Sequence, residues 1–293
     1  MRYLVLGCNG MAGHLISYYL QKKGHDVTGF AMEESKLVKT IVGDATDFKS
    51  LDKIITDGDY DCIINCIGIL NKDADNRKEL AIILNSLLPH HLAGVTKNSK
   101  TKVIHMSTDC VFSGKQGNYT EESEPDGTTF YDRTKALGEI NDDKNLTVRM
   151  SIVGPDINEK GIGLFNWFMK QEGEIGGYTK VLWTGITTLE LAKIMEKASQ
   201  DKNAVGLINM VNNESITKHD LLHLFKKHFK RDNVTINENP NVVANKSLVR
   251  TKFDFNYQVS SYDKMVEEMS EWVNDNKDIY ANYFKKSVSE TDD

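Results

Sequence analysis

Tyr131 and Lys135 stand four apart in Tyr131-Asp132-Arg133-Thr134-Lys135, a spacing that puts a phenol and an amine on one helical face. An ammonium beside a phenol favours the phenolate and lowers its pKa from about 10. A three-unit shift corresponds to about 4 kcal/mol, which one such pair does not normally supply without a further positive charge. Upstream, Met106-Ser107-Thr108-Asp109-Cys110-Val111-Phe112 follows an apolar run. Thr108 there offers a hydroxyl to hold a carbonyl oxygen while Tyr131 gives that oxygen a proton. The spacing Tyr-x-x-x-Lys is common on helices by chance, so its weight depends on what precedes it.

What precedes it is Gly7-Cys8-Asn9-Gly10-Met11-Ala12-Gly13, directly after the first apolar run and at the start of the first helical pattern. Gly7 permits a tight turn, Gly10 lets a pyrophosphate approach the backbone, and Gly13 lets helix and strand pack closely. Amides at the helix start would face the phosphates, with Asn9 and Met11 in the same turn. The order of strand, turn and helix predicts a dinucleotide site. A ribose-binding carboxylate is expected where the second run ends, at Phe30 and Ala31, about 20 residues beyond the glycines. Glu33 and Glu34 come slightly later and Lys36 could answer a 2′-phosphate, which leaves NAD and NADP both open. Asp44, in Gly43-Asp44-Ala45, is expected to accept from the adenine amino group, with a helix cap as its competing role.

These residues need a frame. Short apolar runs at 3–6, 25–30, 38–42, 62–66, 102–106 and 146–150 alternate with helical patterns at 11–23, 48–56 and 130–140. Residues 77–96 read as a long helix kinked or interrupted by Pro89. Six strands separated by helices predict an α/β fold, a Rossmann-type doubly wound parallel sheet over residues 1–150. Residues 151–293 are expected to form mainly a smaller substrate domain, with some segments returning to pack on the first. Glycines from Gly154 to Gly185 mark a loop-rich stretch, and helices are expected at 188–199, 217–230 and 263–274. Thr188 and Thr217 are expected N-caps. Met265, Met269 and Trp272 form a stripe read as core. The polar, acidic end at 289–293 is expected to fray.

Composition excludes some classes. A chain of 293 residues, 40% hydrophobic and 27% charged, is an ordinary folded protein and needs no staple. With 36 basic residues dispersed among 42 acidic ones, nucleic acid and anionic membranes are poor partners. Cys8, Cys62, Cys66 and Cys110 all lie in the first half and form no metal-ligand pattern. No metal is expected, and reduced thiols fit a cytoplasmic protein. The sequence begins at once with strand-like residues and has no run long enough to cross a bilayer, so no membrane partner is expected.

The chain resembles the extended short-chain dehydrogenase/reductase family, in its dTDP-4-dehydrorhamnose reductase-like branch. The likeness rests on 7–13, Asn65-Cys66-Ile67-Gly68, 107–112, 131–135 and Arg149-Met150-Ser151-Ile152-Val153-Gly154. It implies catalysis by Thr108, Tyr131 and Lys135, the latter two also touching cofactor. It implies that Asn65, Cys66 and Gly68 lie beside the cofactor, and that Asn85 lies near the nicotinamide, ordering Lys135 or water. The substrate side is expected at Thr108, Asp109 and Cys110 and around Asn166 and Trp183, with Glu121 and Glu122 ahead of the catalytic helix. The reaction implied is NAD(P)H-dependent reduction of a keto group on a nucleotide-linked deoxysugar, by a homodimer if the chain assembles. An epimerase or dehydratase is the nearest alternative, and a non-catalytic NAD(P)-binding regulatory subunit the other. Three departures from the branch stand out: Asp132 and Thr134 inside the Tyr-to-Lys motif, Cys110 where a tyrosine is usual, and Gly127 to Phe130 where a proline often precedes the tyrosine.

Overall fold

A computed structural model describes residues 1–284; the expectation for 289–293 lies outside them. The first half alternates β1 (Arg2–Leu6), α1 (Met11–Lys22), β2 (Asp26–Ala31), β3 (Thr40–Val42), α2 (Phe48–Gly58) and β4 (Cys62–Asn65). It continues through α3 (Asn71–Asn76), α4 (Lys78–Ala81), α5 (Leu88–Thr96), β5 (Lys102–Met106), α6 (Phe130–Leu137) and β6 (Leu146–Arg149). The second half holds β7 (Ile152–Val153), α7 (Leu164–Phe168), β8 (Gly173–Trp183), β9 (Ile186–Thr187) and α8 (Thr188–Gln200). It ends with β10 (Gly206–Asn209), β11 (Ile216–Thr217), α9 (Lys218–His228), β12 (Val234–Asn245) and α10 (Tyr262–Asp275).

Seven strands pair in parallel in the order β3-β2-β1-β4-β5-β6-β10, a Rossmann-type doubly wound sheet. Side chains alternate across it as period two requires. Tyr3 and Val5 enter one core with Leu15 of α1 and Ile194 of α8, while Leu4 and Leu6 enter the other with Leu51 of α2 and Leu88 of α5. Full burial of each such leucine or isoleucine stabilises the fold by about 1.5–3 kcal/mol. The seventh strand, β10, comes from the second half. The first of these cores also runs on to Phe165, Trp183 and Phe225, so sheet and C-terminal layer share one interior.

Two local expectations need refining. Residues 77–96 are interrupted near Pro89 as expected, but not by a simple kink: α4 passes through a π-turn at Ile82–Leu87 into α5, with Pro89 in its first turn. Pro89 has no N–H for the Asn85 carbonyl four residues back, and the wider turn absorbs the mismatch. Gly138 packs on that carbonyl so closely that an added Cβ would lie 1.9 Å from it. The stretch ending at Gly185 is not simply loop either: β8 is an eleven-residue strand paired with β12 and β11. Gly177 in it is a packing device, since an added Cβ would meet the His219 Cα of α9 at 3.0 Å. The helix cap before α8 is Thr187, whose hydroxyl accepts from Glu190 N, and Thr188 is already helical; Thr217 caps α9 as expected. Met265 and Met269 of α10 are core, and half-buried Trp272 packs against it.

Candidate active site

The β1–α1 turn has the geometry its glycines predict. Gly7 sits at φ +80° and an added Cβ on Gly13 would fall 2.1 Å from the Gly7 carbonyl oxygen. At Gly10 the nearest atom to an added Cβ is the same oxygen, at 3.4 Å, so the space beyond is open. Gly10 is the N-cap of α1 and makes no side-chain cap, leaving the first amides to a ligand. The turn opens on a cleft of about 420 Å³ whose walls include Gly7, Asn9, Gly10, Phe30 and Ala31. Asp44, Ala45, Cys66 and Gly68 close the other side. These features fit a dinucleotide. Asn9 donates to the Glu33 carbonyl at 2.9 Å and thereby holds Glu33 on the cleft wall. Asp44 accepts from the amide and hydroxyl of Thr46, and the cap of α2 is Asp47 instead.

Four expected cofactor residues stand behind the wall. Gly13 packs under the turn. Asn65 is fully buried and bonded to Ile67 N and His105. Met11 reaches across to Gly163, where an added Cβ would lie 3.2 Å from its sulfur. Asn85 does not order Lys135: its amide accepts from Ile69 N and donates to Ile69 O and to the Thr134 hydroxyl. The side chain is consumed in pinning the loop after β4 to α6, so it is a strut.

At the end of β5, Asp109 N donates to Met150 O and carries the strand pairing into the loop that holds Thr108. Thr108 caps the turn Asp109–Val111, accepting from Cys110 N at 3.1 Å and donating to Asp109 Oδ1 at 3.2 Å. Tyr131 enters from the first turn of α6, and its hydroxyl faces Thr108. Burial pushes the phenol well above its ordinary range, and Cys110, Asp109 and Asp132 push it further, against the pull of Thr108. The expected lowering by Lys135 is therefore not what governs this phenol; the chain's own field keeps it neutral. Lys135 is buried, donates to Met106 O at 2.6 Å and lies 3.3 Å from His105 Nε2. Burial pushes its amine down to about 8, against the opposing pull of Glu139 and Cys66.

Beyond Asp109 lies a residue the sequence reading passed over. Lys218, first in α9, lines a cavity of about 540 Å³ that also presents Trp167 and Tyr178. Burial lowers its amine to about 8 against the attraction of Asp109 and Cys110, which couples the cavity electrostatically to the Thr108 loop. Trp183 is not on the cavity surface; it is buried, donates to Ser151 Oγ, and supports Lys218 from below. Asn166 is also withdrawn, fully buried between Gly161 O and the Tyr283 hydroxyl. Glu121 is structural, accepting from Asn209 N, Thr251 N and the Thr251 hydroxyl. His105 was likewise overlooked, although a histidine in the middle of an apolar strand, Lys102-Val103-Ile104-His105-Met106, is a readable signal. All four cysteines are free thiols. Among the described residues, no helix is long and apolar enough to cross a membrane.

The family model described as the RmlD substrate binding domain matches residues 1–163 of the 293. The chain belongs to that family. It is 32% identical over 162 residues to the probable low-salt glycan biosynthesis reductase Agl14 of Haloferax volcanii, covering 52% of this chain and 54% of that one. It is 29% identical over 146 residues to dTDP-4-dehydrorhamnose reductase of Mycobacterium tuberculosis, covering 47% and 44%. The chain thus matches about half the length of these relatives. A longer match, 23% identical over 233 residues and covering 75% and 70%, is to methionine adenosyltransferase 2 subunit beta of Xenopus laevis. In fold it resembles a Bacillus anthracis dTDP-4-dehydrorhamnose reductase solved with NADP, at TM-score 0.75 and 19% identity over 92% of this chain and 98% of that one. Within the RmlD frame, the departures at Asp132 and Thr134 have local causes. Asp132 completes a capping box with Thr129, each side chain accepting from the other's backbone N–H. Thr134 receives the Asn85 amide. Gly127 lies so tightly under this turn that an added Cβ would meet Asp132 Cβ at 2.5 Å.

Proposed function

We propose that the chain is an NAD(P)H-dependent reductase of a keto group on a nucleotide-linked deoxysugar. The observation that carries this reading is the meeting of Tyr131 and Thr108 beside the glycine-turn cleft, with the phenol held neutral. A bound nicotinamide dinucleotide supplies the hydride. The amides of the β1–α1 turn would receive its phosphates, and Lys135 would hold its ribose. Tyr131 is a proton donor: it gives its proton to the carbonyl oxygen as negative charge develops there. Thr108 would hold that oxygen by turning its hydroxyl hydrogen away from Asp109 Oδ1, while Cys110 N keeps the threonine oxygen in place. On the far side, Lys218 takes the anionic diphosphate of the substrate and the aromatic cavity beside it takes the base.

Adding thymidine- and uridine-linked 4-keto sugars to enzyme and reduced cofactor should consume NADH or NADPH and give the hydroxy sugar. A protein that binds cofactor yet reduces none of them would overturn the reading and leave the regulatory subunit. Dehydration is the second reading, favoured by one observation: burial pushes the Asp109 carboxyl above its ordinary range, toward an acid that can protonate a leaving hydroxyl. Loss of water from a 4-hydroxy sugar nucleotide, seen by mass, separates it from reduction.

A further inference from the structure

Behind the catalytic amine runs a buried chain of three side chains whose donors and acceptors can be assigned in one way. The Ile67 amide donates to Asn65 Oδ1 at 3.1 Å, which fixes the Asn65 carboxamide. Its Nδ2 then faces His105 Nδ1 at 3.1 Å and must donate to it. Turning the carboxamide over would set its N–H groups against the Ile67 N–H, donor against donor. A neutral imidazole that accepts at Nδ1 carries its proton on Nε2. His105 is fully buried, and burial, with Lys135 and His90 nearby, holds it neutral far below its ordinary range. The Nε2–H therefore points at Lys135 Nζ, 3.3 Å away, while Lys135 donates its own N–H to Met106 O. An ammonium has no lone pair to receive that N–H, whereas a neutral amine has one.

We propose that His105, locked by Asn65 in its Nε2–H tautomer, is a positioning residue that sets the protonation of Lys135. The histidine biases the amine toward its neutral form and aims it by an N–H···N hydrogen bond; with the second bond to Met106 O, one N–H of the neutral amine is left to point at the ribose. The charged and titratable groups facing Lys135 are Glu139 and Cys66, which favour the ammonium, so His105 works with burial against them. The functional side rests on the reductase reading; the tautomer does not.

Two measurements test it on the full chain. Long-range 15N-edited NMR of the imidazoles should show His105 protonated at Nε2 and bare at Nδ1 between about pH 6 and 9. A proton on Nδ1 would overturn the proposal whatever the enzyme's substrate. The second is the pH profile of kcat with the identified keto sugar. If the ammonium is the active form, His105→Leu should move the basic limb up by roughly one pH unit, because the N–H opposing the ammonium is gone. His105→Asn restores only an Nδ1-like acceptor and should behave like leucine. His105→Gln places an amide N–H near the Nε2 position and should bring the limb back down. Equal losses of kcat in all three variants with an unmoved limb would mark His105 as packing alone.

Discussion

The Lys218 ammonium lies 4.9 Å from the centre of the Trp183 ring, so a buried indole supports a cation that feels the charge of Asp109. Trp183 itself is too buried to stack on a ligand, so its effect passes through the lysine. Lys218→Gln should raise KM for a nucleoside-diphosphate sugar by about 10- to 100-fold, the loss expected of a charge-assisted contact. Affinity for NADH, measured by calorimetry, should not change. Since burial lowers the amine to about 8, it is charged below that pH and neutral above it. Binding of a nucleoside diphosphate alone should weaken as pH rises through about 8 in the wild type and not in Lys218→Gln; equal profiles would remove Lys218 from the substrate site.

Gly10 and Gly13 make a paired test of the turn. The open space at Gly10 lets Gly10→Val fold, with its side chain in the path of the pyrophosphate, and cofactor affinity should drop at least about tenfold, 1.4 kcal/mol. Gly13→Ala meets the Gly7 backbone oxygen and should lower Tm instead. Unchanged cofactor affinity in folded Gly10→Val would sink the assignment of the cleft.

Glu33 bears on cofactor choice because Asn9 holds its backbone at the cleft wall. A carboxylate there accepts from a ribose 2′-hydroxyl and repels a 2′-phosphate. NADH should be preferred by kcat/KM, and Glu33→Ala should narrow the NADH:NADPH ratio by about tenfold. Comparison of both cofactors in both proteins decides it, and a wild type that prefers NADPH would exclude this role for Glu33.

His14 predicts acid lability. Its Nδ1–H donates to Gly10 O and its Nε2 accepts from the Tyr280 hydroxyl, which in turn accepts from Trp272 Nε1. A neutral imidazole completes this chain, and burial lowers its pKa to about 4. The unfolded chain takes up a proton below about pH 6.5 while the folded one does not, so stability falls from there down to about pH 4, by up to about 3 kcal/mol. His14→Gln should flatten that part of the denaturant-midpoint profile; an equally steep fall in the variant would place the effect elsewhere.

What could be read in advance follows the range of the interactions involved. The β1–α1 turn, the alternating strands and the shared face of Tyr131 and Lys135 are set by neighbours within about one helical turn, and periodicity displays them. The destinations of Asn166 and Trp183 are not local: Asn166 bonds to Tyr283, 117 residues on. A polar residue in a loop-rich stretch looks available until its distant partner is known. His105 gains its meaning from Asn65, 40 residues earlier, and Lys218 from a loop more than 100 residues before it. β8 was hidden by its glycines, which read as punctuation although α9 needs the missing side chain at Gly177.

Tyr131→Phe tests the chemistry most directly. The substitution keeps the ring in its pocket with Ala74 and Ala81 and removes only the oxygen that faces Thr108. Cofactor affinity should hold, because the glycine-turn cleft is intact, while kcat falls by about 10²- to 10⁴-fold, the range for a positioned general acid. Burial keeps the phenol protonated well past neutrality, so tyrosine ionisation does not limit the wild-type rate near pH 8. At saturating substrate, where binding through Lys218 no longer limits the rate, a basic limb near that pH belongs to Lys135, held at about 8: the ammonium is present below it and is lost as pH rises. Stopped-flow measurement of hydride transfer across that range reads both effects. A folded Tyr131→Phe protein with near-normal kcat, when chemistry limits turnover, would show that the proton comes from elsewhere, with Asp109 the next acid in reach of Thr108.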